Sequence, residues 1–158
     1  MWSNFQETVK IYKQGKAYYD ALKSVHDLVK GARKVQQTIL LVGDISDIYV
    51  TNFNTMTGDP NFTVEELSAI AFGYNRLLKE SSDLLLDLKE VTTATGLSMT
   101  DKERLDIINR IYGEVLEYKN LTWYYTRKNI GVSYLRSKEK GDAARVLSLY
   151  GTHEQRYW

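Results

Sequence analysis

Apolar residues recur mostly three or four positions apart through the first third of the chain: Phe5, Val9, Tyr12, Tyr19, Leu22, Val25, Val29, Ala32, Val35, Ile39, Val42, Ile45, Tyr49, Phe53 and Met56. That spacing is one face of an α-helix, and no proline interrupts it. The pattern predicts a helix over about 4–56, opened by Ser3 or Asn4, either of which can accept a bond from a first-turn amide. At 1.5 Å per residue such a helix spans roughly 75 Å if unbroken. Gly15, Gly31 and Gly43 lie within it, each costing about 1 kcal/mol relative to alanine. Gly43-Asp44 is the expected place of a bend, because the stripe resumes in register beyond it.

Thr57-Gly58-Asp59-Pro60-Asn61 ends this element. Glycine supplies an unusual backbone angle there and proline cannot continue the hydrogen-bond ladder. Thr63-Val64-Glu65-Glu66 then reads as a capping box, with Phe62 placed to pack on Leu67 as a hydrophobic staple. A second helix is predicted over about 64–95, with Leu67, Ile70, Ala71, Tyr74, Leu77, Leu78, Leu84, Leu85, Leu88 and Val91 inward and Gly96 stopping it. Thr100-Asp101-Lys102-Glu103 is a second capping box, with Met99 as its staple residue, and opens a third helix over about 101–140. Its expected inward stripe is Leu105, Ile108, Ile111, Tyr112, Val115, Tyr118, Thr122, Tyr125 and Val132. A short fourth helix over about 142–150 buries Val146, Leu147 and Tyr150 and is capped by Gly151. Thr152 to Trp158 forms a tail whose Tyr157-Trp158 pair is expected to dock on the bundle or on a partner.

These elements predict an all-α fold: an elongated antiparallel three-helix bundle with a short fourth helix and a docked C-terminal tail, making a single domain over 1–158. Internal repeats and low-complexity linkers are absent. The composition agrees, with one proline and twelve tyrosines whose amphipathic rings suit a core border or a contact surface. Net charge is +1, so no overall field demands nucleic acid or an anionic membrane. Its distribution is uneven: residues 1–56 carry seven Lys/Arg against five Asp/Glu, 57–98 three against seven, and 99–158 eleven against eight. An acidic middle element between two mildly basic ones suits antiparallel neighbours, although exposed pairs contribute little each.

Candidate chemistry is sparse. The absence of cysteine removes disulfides, thiolate metal sites and a Cys nucleophile. His26 and His153 are distant in sequence, and neither has a helical partner at metal-binding spacing. Asp83, Asp87 and Glu90 share helix faces but fall beside the inward leucines, and no Glu-x-x-His motif accompanies them, so they read as a solvated face. Phosphate loops, a Gly-x-Ser-x-Gly elbow and a dinucleotide fingerprint are missing. The reading is of a non-enzyme with no cofactor, no metal and no small-molecule substrate. Ile39-Leu40-Leu41-Val42 is too short to cross a bilayer, Met1-Trp2-Ser3-Asn4 leads into helix rather than a signal peptide, and the expectation is a soluble chain.

One surface stands out. Asn120, Tyr124, Arg127, Gly131, Tyr134 and Lys138 are spaced four, three, four, three and four along the third helix, flanked by Trp123, Lys128 and Arg136. Three readings compete for it. The face packs internally, since a bundle helix has two neighbours and the fourth helix must also pack somewhere. Alternatively it is a protein interface, where Tyr, Trp and Arg carry most binding energy. In the third reading it stacks on single-stranded nucleic acid, against which the near-neutral charge argues. The candidate interface residues are Asn120, Trp123, Tyr124, Arg127, Lys128, Tyr134 and Arg136.

Several stretches carry a resemblance to a known family: Asn4-Phe5-Gln6-Glu7-Thr8-Val9-Lys10, Ile48-Tyr49-Val50-Thr51-Asn52-Phe53, Asp59-Pro60-Asn61-Phe62-Thr63, and the run from Glu65 to Tyr74. To these are added Leu97 to Arg104, Tyr124-Tyr125-Thr126-Arg127-Lys128-Asn129-Ile130, Ser133-Tyr134-Leu135-Arg136 and Arg156-Tyr157-Trp158. Together they resemble a transfer protein of Bacteroidetes-type conjugative transposons, grouped with the TrbJ-like, minor-pilus class of type IV secretion components. The resemblance implies a helical bundle, no enzymatic activity, and a periplasmic or pilus-associated place. It also implies contacts with other subunits of the conjugative apparatus, with self-association left open. Family members begin with a secretory leader and a further amino-terminal stretch that this chain does not show, so the expectation is a trimmed mature fragment.

Overall fold

The computed structural model describes residues 32–93 and 99–151, and within them the chain forms four helices: α1 (Ala32–Thr57), α2 (Val64–Thr93), α3 (Asp101–Glu139) and α4 (Ala143–Tyr150). The expected 4–31 part of the first helix, the Gly96 stop, both histidines and the 152–158 tail lie outside the described residues. The described elements are an all-α bundle, as the periodicity predicts. α1 runs through Gly43 without a break in helix.

Four side-chain ties fix the helix directions. Lys34 Nζ sits 4.1 Å from the Tyr112 ring centroid, and Lys119 donates to Asp44 at 2.9 Å. α1 and α3 therefore ascend together. Tyr118 donates to Glu80 at 2.7 Å, while Glu66 lies opposite Arg136, so α2 descends between them. Both capping boxes form. Thr63 N–H donates to Glu66 and Glu66 N–H to Thr63 Oγ1, at 2.9 and 3.2 Å; the Thr100–Glu103 pair closes with 2.7 and 3.2 Å bonds.

The predicted stripes of α1 and α2 face the core. Ile45, Tyr49, Met56, Ala71, Tyr74 and Leu88 are fully buried. Their aromatic centre is a stack of Tyr49 on Tyr74 (centroids 4.7 Å, interplanar angle 11°), with Tyr125 meeting Tyr74 edge-on at 5.0 Å. Thr126 uses its hydroxyl hydrogen on the Thr122 carbonyl at 2.8 Å, so the Tyr74 hydroxyl donates to Thr126 Oγ1 at 2.5 Å. Tyr125 crosses α2 and donates to the Ile70 carbonyl at 3.1 Å. Gly73 makes that crossing feasible, because a β-carbon there would overlap the Tyr125 hydroxyl and ring.

α3 departs from its predicted stripe in its second half. Val132 is 39% exposed, and the buried line continues through Thr126, Ile130, Ser133 and Ser137 instead. The seven-residue step from Tyr125 to Val132 stays on the edge of the core rather than its centre. That central line is mostly small hydroxyl side chains, which an apolar pattern does not reveal. Thr122 and Thr126 satisfy their hydroxyls on the carbonyls four residues earlier, at 2.7 and 2.8 Å.

A buried polar cluster closes this end of the bundle. Asp59 follows α1 and is 2% exposed; its carboxyl accepts from the Asn61 amide at 3.0 Å, from Ser133 Oγ, and from the Tyr150 hydroxyl at 2.8 Å. Asn61 Nδ2 bonds Ser133 and Ser137, and its carbonyl accepts from Arg136 at 2.7 Å. Gly141, at φ +71°, reverses the chain, and the Asp142 amide returns to the Ser137 carbonyl at 2.8 Å. α4 thereby folds back on α3 and buries Val146 and Tyr150.

Three substitutions test this packing. Gly73→Ala should destabilise the protein by about 1–3 kcal/mol, the usual cost of overpacking, read as a lower urea midpoint with unchanged helicity. Asp59→Ala leaves two buried hydroxyls and an amide without their acceptor and should cost on the order of 3 kcal/mol, whereas Tyr150→Phe, which removes one donor, should cost about 1 kcal/mol. Equal effects of the last two would show that the cluster is not organised around Asp59.

Candidate protein-interaction face

α2 occupies the side of α3 that carries Tyr118, Tyr125 and Arg136. Residues spaced three and four apart from Asn120 turn away from it. Asn120, Arg127 and Lys138 are exposed, Gly131 is half-buried, and Tyr124 is 52% exposed. Lys128 Nζ lies 5.3 Å from the Tyr124 ring centroid, a cation–π contact that holds the phenol outward beside the Arg127 charge. Trp123 and Tyr134 are partly buried against the core cluster. Internal packing thus accounts for Trp123 and Tyr134, while Asn120, Tyr124, Arg127 and Lys128 remain in solvent.

Arg136 does not join them. Nine residues separate it from Arg127, about two and a half helical turns, so the two side chains leave α3 on opposite sides. Arg136 instead grips Glu66 with two bonds of 2.7 and 2.8 Å and also reaches the Asn61 carbonyl. Those hydrogen bonds, with the Thr63 amide second, hold the Glu66 carboxyl down at about 2 against its ordinary 4.5, and Glu66 in turn raises Arg136. The pair ties α2 to α3 beside the polar cluster.

The same side of the bundle carries an open depression of about 250 Å³, lined by Phe62, Glu66, Ala69, Ile70, Tyr125, Asn129 and Val132. Its lining is largely apolar, and its one carboxylate already belongs to Arg136. The buried cluster at Asp59 and Asn61 was not found by sequence reasoning. Two signals could have pointed to it: the Asp-Pro-Asn turn, and serines four apart continuing the threonines of α3. With Asp59 2% and Asn61 5% exposed, these groups are out of reach of a substrate and act as a joint. Among the described residues no cluster of three or more His, Cys, Asp or Glu could hold a metal ion. Asp83, Asp87 and Glu90 are solvent-exposed, Asp83 being paired with Lys79 at 2.9 Å. No described helix is long and apolar enough to cross a membrane.

Because Glu66 is depressed in the folded state, its contribution is complete above the ordinary carboxylate value and is lost as pH falls from 4.5 toward 2. Wild-type protein should therefore lose more stability than Glu66→Gln on acidification through that window, measured as urea midpoints at neutral pH and near its lower end. Parallel losses in the two proteins would remove the pair from the account. Against this geometry stands a blank background: comparisons with protein-family models, with curated proteins and with solved structures find no match.

Proposed function

We propose that this protein is a non-catalytic structural component of a conjugative type IV secretion apparatus, acting through protein–protein contacts. The observation that carries the interaction reading is the exposed aromatic–basic face of α3. Tyr124 is held outward by Lys128, with Arg127 beside it. A half-exposed aromatic flanked by cations offers both apolar area and charge to a partner. The assignment to DNA transfer is supported by the family-like stretches, of which Tyr124 to Ile130 lies on this very face. That resemblance also supports a periplasmic or pilus-associated place and other transfer subunits as the partners.

Substitution at exposed positions leaves the fold nearly untouched, within about 0.5 kcal/mol. The double change Tyr124→Ala with Arg127→Ala should then abolish capture of the other transfer subunits and reduce mating efficiency while circular dichroism stays unchanged. Normal mating by the double mutant would sink the interface reading. A parallel titration with single-stranded DNA separates the nucleic-acid alternative, which requires binding that weakens steeply with salt and is lost in the same mutant.

A further inference from the structure

The solvent side of α3 carries a pattern that reads the same in both directions. Glu117, Leu121, Tyr124, Lys128, Val132, Leu135 and Glu139 follow one another three or four residues apart, and all are exposed. Lys128 is the midpoint: apolar side chains stand four and seven positions to either side of it, and a glutamate eleven to either side. Such steps keep these residues on one seam, about 33 Å long, with the spacing along which a neighbouring helix packs. Four of the nine large apolar side chains that the described residues expose lie on it. The seam borders the depression between α2 and α3, which Val132 lines together with Ala69. Phe72 of α2, three residues on from Ala69, is exposed as well. Among the described residues none of the three seam charges is held in an ion pair, and Lys128 rests on the Tyr124 ring.

The order of charges decides what fits there. A second copy of the chain would meet the seam about a two-fold axis. Paired antiparallel with Leu121 on Leu135, it sets Lys128 against Lys128 and Glu117 against Glu139; paired parallel, it sets every residue against itself. Like charges face each other in both arrangements, which disfavours them. A single cation at the middle of an apolar seam instead selects a partner with the opposite charge at that level and so fixes its register. We propose that the seam receives one amphipathic helix of a different protein, with a carboxylate at its centre against Lys128 and a cation about eleven residues to each side, against Glu117 and Glu139. Its apolar side would cover Leu121, Tyr124, Val132 and Leu135, with Phe72 at the border. This rests on the reading of α3 as an interaction face and adds the form and charge order of what it meets.

The test titrates two synthetic helices of about 23 residues, a length matched to the seam, into the nitrogen-15-labelled full chain. Both carry leucine at the apolar positions. One has glutamate at the centre and lysine at the ends, and the other has these charges exchanged. The first should bind about tenfold more tightly, because three exposed ion pairs replace three like-charge contacts, with amide shifts along residues 121–135. The triple variant Glu117→Lys, Lys128→Glu, Glu139→Lys changes only exposed positions, which leaves the fold intact, and should reverse the preference. Equal affinities, no binding at millimolar peptide, shifts confined to other helices, or a dimer that Leu135→Glu dissociates would each overturn the proposal. Absence of the preference while Tyr124→Ala with Arg127→Ala still abolishes mating would overturn the seam alone and leave the interface reading in place.

Discussion

A buried carboxyl group must find donors, and the way Asp59 finds them organises one end of this molecule. Its three partners come from three places: the turn after α1, the far part of α3, and the last residue of α4. None of these segments is adjacent in sequence to all the others, so their meeting is a tertiary event. The cost of leaving such a group unsatisfied makes the joint all-or-none. With Asn61 and Arg136 extending it to Ser137 and Glu66, the same joint sets how α2 starts and where α4 is held. The aromatic stack in the middle of the bundle supplies burial, while this cluster supplies position.

What sequence could reveal divides along that line. The stripes of α1 and α2 are built of Val, Ile, Leu, Tyr and Phe, and their period gives both the helices and their buried sides. The two capping boxes are local, since donor and acceptor are three residues apart, and they appear where Thr63 and Thr100 place them. The second half of α3 is a different case. Its core positions are Thr126, Ser133 and Ser137 beside Ile130, and hydroxyls carry no apolar signal, whether bonded within the helix as Thr126 is or to Asp59 and Asn61 as Ser133 and Ser137 are. Following Val132 outward rather than Ser133 inward is the result.

The candidate face was legible in part for the same reason. Spacing alone groups Asn120, Tyr124 and Arg127, because α3 stays regular through them. Spacing did not reveal that Trp123 and Tyr134 lean on the core, or that Arg136 is taken by Glu66 on the other side. Flanking in sequence is not flanking in space: a step of one residue turns about 100° around a helix. The surviving exposed group is smaller than the pattern suggested, with one phenol, two cations and the Asn120 amide.

The crossing of Tyr125 over Gly73 has a mechanical meaning beyond stability. A ring seated where one helix lacks a β-carbon behaves as a pin in a notch. Sliding α2 along α3 by one turn, about 5.4 Å, would bring Ala69 or Leu77 under the ring in place of Gly73, and either would push the helices apart. The two helices therefore have one permitted register rather than a ladder of near-equivalent ones. Tension applied at one end of the pair would be passed to the other end instead of being dissipated as slip.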